Sequence, residues 1–160
     1  MKVKIKKLYE YSILPTKAHA TDAGYDLYAH SKSYDDDGNV VYGSGVAMEI
    51  QQGYVGLVFP RSSNAKKDLL LSNSVGVIDS GFRGEITFKF KKNLKFFYEY
   101  GETCEKELQL QYNPYSYNHY SIGDRIGQII IMPYPEIEFV EVKELSKSER
   151  ENGSYGSTGR

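Results

Sequence analysis

Apolar and polar residues alternate with a period of two in several short runs, and each run predicts a strand lining one face of a sheet. Lys2 to Tyr9, with Val3 and Ile5 between lysines, reads as the first. Tyr25 to Tyr28 is a short strand that carries Asp26 among apolar neighbours. Val40 to Ile50 and Tyr54 to Phe59 read as two strands around a Gln51-Gln52-Gly53 turn, and Glu85 to Lys91 alternates cleanly. A turn at Gly123-Asp124 feeds the apolar run Ile129–Met132, which predicts a central strand, and Glu136 to Lys143 alternates as a last one. No helical period persists beyond about two turns. Ser62 to Lys67 is the exception, one or two turns with Ser62 or Ser63 as N-cap. The pattern is that of an all-β sandwich or barrel.

Composition agrees. The chain has 15 Tyr, 7 Phe and no Trp, and Tyr and Phe favour strands. At 160 residues it suits one domain with a sizeable core. A formal net charge of −1 provides no field for direct nucleic-acid binding or for an anionic membrane, so an anionic ligand needs a local cluster of donors. The single cysteine, Cys104, excludes an internal disulfide and any multi-cysteine metal site. The start MKVKIKKLYEYS lacks the apolar stretch of a secretion signal, and no run reaches membrane-spanning length. The expectation is a cytoplasmic protein.

Two segments depart from the β pattern. From Lys92 to about Ser121 the chain reads as an inserted hairpin with a loop. Its Tyr112, Tyr115, Tyr117 and Tyr120 either present a recognition surface or cover the sandwich. Residues 145–160 form a flexible tail, following a β domain of residues 1–144. Around Tyr155, Gly156, Ser157 and Thr158 it has the small, hydroxylic character that wraps an anion. Extended, it would reach roughly 50 Å, enough to arrive at a neighbouring subunit.

Candidate chemistry concentrates in Phe59–Glu85. Asp79 follows the apolar pair Val77-Ile78 and reads either as a turn cap or as an acid or base held at a strand end. Arg61-Ser62-Ser63 combines a bidentate donor with hydroxyls and a helix start, a plausible phosphate grip. Asp26, costly among apolar neighbours, requires a partner or a ligand. Asp35-Asp36-Asp37-Gly38-Asn39 lacks the spaced ligands of a calcium loop and reads as a solvated turn. His19, His30 and His119 form no zinc spacing.

Five segments, in order, resemble those of the trimeric dUTPases, also called dUTP pyrophosphatases. They are Asp22-Ala-Gly-Tyr-Asp-Leu27, Pro60-Arg-Ser-Ser63, Asn73 to Ile86, Gly123-Asp-Arg-Ile-Gly-Gln128, and Arg150 through Gly159. Only about 92–121 lies outside the pattern. The resemblance implies a jelly-roll-like β fold, a homotrimer, and Mg²⁺-assisted hydrolysis of dUTP to dUMP and pyrophosphate. It implies that Asp79 directs water at the α-phosphorus and bonds the 3′-hydroxyl. Phe82 would pack on the sugar where a 2′-hydroxyl would sit. Asn73, Gly76, Val77 and Ile78 would form a hairpin reading the uracil edge. Arg61, Ser62, Ser63 and Gln128 would hold phosphates, and Asp26 would reach Mg²⁺ through water. Arg150, Gly156, Ser157 and Thr158 would close over the γ-phosphate while Tyr155 stacks on the base.

Such a reaction asks a protein mainly for alignment and charge neutralisation, and a carboxylate ionised at neutral pH is a weak but available base. Phe82 stands where the family usually has Tyr, and Glu151 and Ser154 stand where glycine is frequent. The insert is similar to that of staphylococcal phage dUTPases, members of which also bind a repressor of pathogenicity islands. The 92–121 segment is accordingly the expected place for such a partner, in a host-cell cytoplasm if phage-encoded. The alternatives are a dCTP deaminase-like enzyme of the same fold and a repressor-binding module whose nucleotide site only sets its conformation.

Overall fold

The computed structural model describes residues 1–92 and 118–148 with their side chains, and two backbone strands at 97–100 and 106–109. The strands are β1 Lys4–Lys7, β2 Tyr25–Tyr28, β3 Ser31–Tyr34, β4 Val40–Gly43, β5 Val46–Glu49, β6 Tyr54–Phe59, β7 Leu69–Leu71 and β8 Gly76–Ile78. They continue with β9 Thr87–Lys92, β10 Phe97–Tyr100, β11 Lys106–Gln109 and β12 Arg125–Pro133. Two four-stranded antiparallel sheets, ordered β2-β12-β6-β8 and β3-β4-β9-β7, are joined by the pairs β1-β5 and β10-β11. The fold is all-β, of the jelly-roll type, and the inserted segment contains the expected hairpin.

The core lies between the sheets because alternate residues point inward. In β9, Phe88 and Phe90 are buried while Lys89 and Lys91 face out. They pair across the ladder with Tyr42 and Val40 of β4, which point the same way. From the opposite sheet come Leu27, Val58, Ile126 and Ile129. Each such apolar side chain contributes about 1.5–3 kcal/mol on burial. Gly127 lets the sheets close: a Cβ there would run into the Phe88 ring, and the Phe59 carbonyl would lie 2.9 Å away.

Several elements differ from the pattern reading. Val40–Ile50 is two strands, because Gly45 (φ +70°) turns the chain between sheets. The short strands β3 and β7 carry little alternation, and their exposed polar or continuous apolar residues hid them. Residues 72–75 are a crossover rather than a hairpin, since β7 pairs with β9 and β8 with β6. Ser62–Lys66 is a 3₁₀ turn whose N-cap position is Arg61, with no side-chain capping bond, so neither serine caps it. β12 is central as expected.

Glu136–Lys143 is not a strand. Tyr134 N–H donates to the Gly53 carbonyl at 3.0 Å, and beyond it the chain leaves the sheet. Phe139 is 91% exposed, and Ile137, Val140, Val142 and Leu145 are exposed beside it. Alternation signals a half-buried strand, yet within this chain nothing among the described residues covers these side chains. Tyr120 follows the second of its two readings: it is buried in the core, covering the sandwich. Tyr112, Tyr115 and Tyr117 lie outside the described residues.

Candidate active site

Three chain segments distant in sequence meet at one carboxylate. Asp26 lies in β2, opposite Gln128 of β12, and its backbone exchanges both hydrogen bonds with Thr16 on the other side. The side chain is largely buried. Arg61 Nε donates to Oδ1 at 2.6 Å, and Arg125 Nη1 donates to Oδ2 at 3.2 Å. Arg61 Nη1 also donates to Ser63 Oγ at 3.3 Å. Its Nη2 has no protein partner among the described residues. The two guanidiniums outnumber this one carboxylate, and Asp22, which also lines the cleft, offsets the difference.

Asp26, Arg61, Ser62 and Gln128 line a cleft of about 310 Å³, together with Asp22, Gly24 and Ile130. Gln128 Nε2 donates to the Pro60 carbonyl at 3.3 Å, which ties β12 to the turn bearing Arg61. Gln128 occupies the space a Cβ on residue 24 would need, so a glycine there admits it. Asp22 Oδ2 accepts from the His19 backbone N–H at 2.8 Å and closes the loop before β2. A concave site offering arginine, serine and amide donors suits a phosphate chain.

The second set of expected residues lies elsewhere. Gly76, Val77 and Ile78 form the edge strand β8, with Asn73 in the preceding turn and Asp79 just beyond. Ser74 takes a left-handed φ of 58° at the tip of that turn. The Asp79 carbonyl accepts from Phe82 N–H at 3.0 Å, whereas its carboxylate is exposed and makes no hydrogen bond among the described residues. Arg83 clamps the loop by donating to the Ser80 and Phe82 carbonyls at 2.6 and 2.8 Å. The Phe82 ring, half-exposed, lies over Gly84, where a Cβ would come within 2.6 Å of it.

The strand register measures the separation. Asp26 is in the row of Gln128 on β12, and Asp79 continues β8 into the row of Val55 and Met132. Three inter-strand spacings of about 4.8 Å and four residues of about 3.3 Å put the two carboxylates roughly 20 Å apart within one chain.

Arg150, Tyr155, Gly156, Ser157 and Thr158 lie outside the described residues. Arg125 escaped the sequence reading as a site residue. Its signal was its place three residues before Gln128, at the start of the strand that pairs with β2. No group of three or more His, Cys, Asp or Glu side chains able to hold a metal occurs among the described residues. With both oxygens of Asp26 engaged by arginines, the site fits Mg²⁺ carried by phosphate oxygens and water, not an all-protein cage.

Comparison with known proteins bears on the same segments. The dUTPase family model matches residues 10–103. The deoxyuridine 5′-triphosphate nucleotidohydrolase of Gloeobacter violaceus is 35% identical over 99% of this chain and 97% of its own length. That of Hydrogenobaculum sp. is 35% identical over 99% of each. Among solved structures, a variant of the Staphylococcus bacteriophage 80alpha dUTPase with dUpNHpp superposes with a TM-score of 0.76, at 29% identity and 99% coverage of both chains. A variant of the phage phi11 dUTPase of S. aureus, described with a coordinated structural Mg(II) ion, gives 0.66 at 26% identity, covering 90% of this chain and 98% of its own.

Asp26→Asn leaves two guanidiniums without their counter-charge. It is expected to destabilise the fold by about 1–3 kcal/mol at pH 7, since both arginines still reach solvent. Urea unfolding measures this, and an unchanged midpoint would show that the three segments are held without the ion pairs.

Proposed function

This chain belongs to the dUTPase family and is a dUTP diphosphatase, and on that footing we propose that it cleaves dUTP at the α-phosphorus, with Asp79 accepting the proton of the attacking water. The observation that carries the phosphate side of this reading is the convergence of Asp26, Arg61, Ser62 and Gln128 on one cleft.

In the proposed reaction the water oxygen forms a bond to the α-phosphorus as its proton passes to the Asp79 carboxylate. The bond from that phosphorus to the α,β-bridging oxygen breaks, and pyrophosphate leaves with the electron pair. Arg61, Ser62, Ser63 and Gln128 align the phosphates and neutralise the charge that builds on the leaving group. Mg²⁺, which Asp26 would reach through water, would supply further charge neutralisation when bound. Asp79 also bonds the 3′-hydroxyl. Phe82 covers the sugar face and excludes a 2′-hydroxyl, and Asn73, Gly76, Val77 and Ile78 read the uracil edge. Residues 1–144 make the catalytic β domain. Arg150, Gly156, Ser157 and Thr158, in the tail 145–160, close over the γ-phosphate with Tyr155 on the base. The setting is the cytoplasm, and no described helix is long and apolar enough to cross a membrane.

A separation of roughly 20 Å is too great for one chain's Asp79 to act at the α-phosphorus while its Asp26 serves the same triphosphate. That separation supports a site shared between copies, as a closed homotrimer would repeat it. The exposed apolar residues 137–145 support association, because their alternation calls for a sheet edge that a second copy would supply.

The 92–121 insert supports a second role. Structural neighbours of this chain are described as phage dUTPases that control transfer of virulence genes by a proto-oncogenic G protein-like mechanism. We propose that the insert, with its β10–β11 hairpin, binds a repressor of the pathogenicity-island type. An unchanged elution volume on mixing this protein with such a repressor would remove that role.

Pyrophosphate release from dUTP should exceed that from dTTP, dCTP and UTP by orders of magnitude and fall when Mg²⁺ is chelated. Ammonia from dCTP would point to a deaminase instead. Asp79→Asn should reduce turnover by about 10³-fold or more while dUTP still binds. Near-normal turnover would exclude Asp79 as the base. Mixed oligomers of Asp26→Asn and Asp79→Asn chains, each impaired alone, should recover up to about a quarter of native turnover if chains mix at random. No recovery would place both residues of one site on one chain.

A further inference from the structure

We propose that Tyr120 is a positioning residue for phosphate binding: its buried hydroxyl holds the 3₁₀ turn at Ser62–Lys66, and with it Arg61 and Ser63, in the orientation that meets the triphosphate. The inference rests on reading Arg61, Ser62 and Ser63 as phosphate contacts, and adds a residue from outside every motif that carries the family resemblance.

The turn needs an external brace. It is five residues long, has no side-chain cap and buries none of its residues. At its two ends Asn64 N–H donates to the Arg61 carbonyl and Lys67 N–H to the Asn64 carbonyl, both at 2.9 Å. Turns of this type have poor hydrogen-bond geometry and little stability of their own. Nevertheless Arg61 must present its guanidinium accurately, since about 1 Å of misplacement at a phosphate contact is felt in catalysis.

Tyr120 supplies the brace from the core. It is 3% exposed, and its ring packs against Tyr42 and Phe90 with centroids 5.9 Å from each. Its carbonyl accepts from Tyr42 Oη at 2.9 Å. Its own hydroxyl donates to Asn64 Oδ1 at 3.0 Å, in the middle of the turn. Asn64 Nδ2 donates to the Leu69 carbonyl at 2.9 Å, so the bridging amide is itself held. Burial raises the Tyr120 phenol above its ordinary range, while a hydrogen bond with Ser63 and the nearby Arg61 charge oppose the rise. Ser63, in the same turn as Asn64, accepts from Arg61 Nη1.

Neighbouring contacts secure the far end of the turn. Asn118 Nδ2 donates to the Lys66 carbonyl at 2.8 Å, and its N–H donates to Asp68 Oδ2 at 3.1 Å. Lys67 Nζ donates to Asn118 Oδ1 and to the His119 carbonyl, and lies 4.8 Å from the Tyr120 ring centroid. Residues 118–120, which close the insert, therefore belong to the scaffold of the site. Removal of 93–120 would be expected to disturb phosphate binding, although no motif residue falls within it.

Tyr120→Phe keeps the ring and deletes the hydroxyl. The test compares this variant with the full-length native protein in steady-state dUTP hydrolysis and in calorimetric binding of inorganic tripolyphosphate and of deoxyuridine. The expected result is a rise of about three- to tenfold in KM for dUTP and in Kd for tripolyphosphate, the loss of one hydrogen bond's worth of alignment. Deoxyuridine affinity should stay within about twofold, because that half of the site is built from β8 and its flanks. Asn64→Ala removes the acceptor and should give the same split, which keeps the test decisive if one variant folds poorly. Unchanged tripolyphosphate affinity in both variants, or an equal loss for both ligands, would overturn the proposal. A native protein that binds tripolyphosphate but does not cleave dUTP would fail the functional reading and still decide the role of Tyr120.

Discussion

The two-sided grip of Arg61 and Arg125 on the Asp26 carboxylate is the interaction on which the phosphate half of the site depends. A carboxylate this buried is tolerated only if it is paired, and the pairing joins chain segments separated by 35 and 99 residues. Strand β2, the turn after β6 and the start of β12 are thereby brought to one point. The arrangement prepares the site as well as holding the fold. Arg61 is already oriented before a ligand arrives, and its guanidinium lines the cleft beside Ser62 and Gln128. Little reorganisation is left for the moment of reaction, which is where a preorganised site gains most over water.

The sheet order sets the opposite limit. With β2 and β8 on opposite edges of one four-stranded sheet, Asp26 and Asp79 lie far apart within one chain. An edge strand with exposed Val77 and a freely exposed Asp79 is a poor end state for an isolated protein. It is a reasonable one for a surface that a second copy completes. The chain between 135 and 145 has the same character, apolar and alternating but uncovered. Both features are what the proposed assembly would leave in a single chain: a hydrophobic pattern of which one copy satisfies only part.

That incomplete pattern also bears on what could be read from the sequence. Strands that alternate against a core the chain itself supplies were legible, β9 most clearly, because Phe88 and Phe90 alternate with lysines; β3 and β7, with little alternation, were not. Glu136–Lys143 was misread because alternation reports a burying surface without saying which molecule owns it. Val40–Ile50 read as one strand because a glycine bend leaves apolar content unchanged; only the positive φ of Gly45 divides it. Asp26, Arg61, Ser62 and Gln128, which line one cleft, were legible as candidates from their residue types and segments. Arg125 was not, because its partner is fixed by cross-strand register, and register cannot be read from either strand alone.

Tyr120 marks the remaining gap. Four tyrosines in a short polar stretch look alike in sequence, and composition suggested a shared role for them. Position separates this one: it falls where the insert rejoins the sandwich, and there its ring completes an aromatic cluster with Tyr42 and Phe90. An insertion between two core strands must return to a defined point, and the residues that fix that point are constrained by the core more than by the insertion. Because the return point here lies beside the turn that carries Arg61, the same residues come to support the phosphate grip. The boundary of the insert is therefore better drawn by packing than by motif: what lies before residue 118 is added to the fold, and what lies from 118 onward holds it.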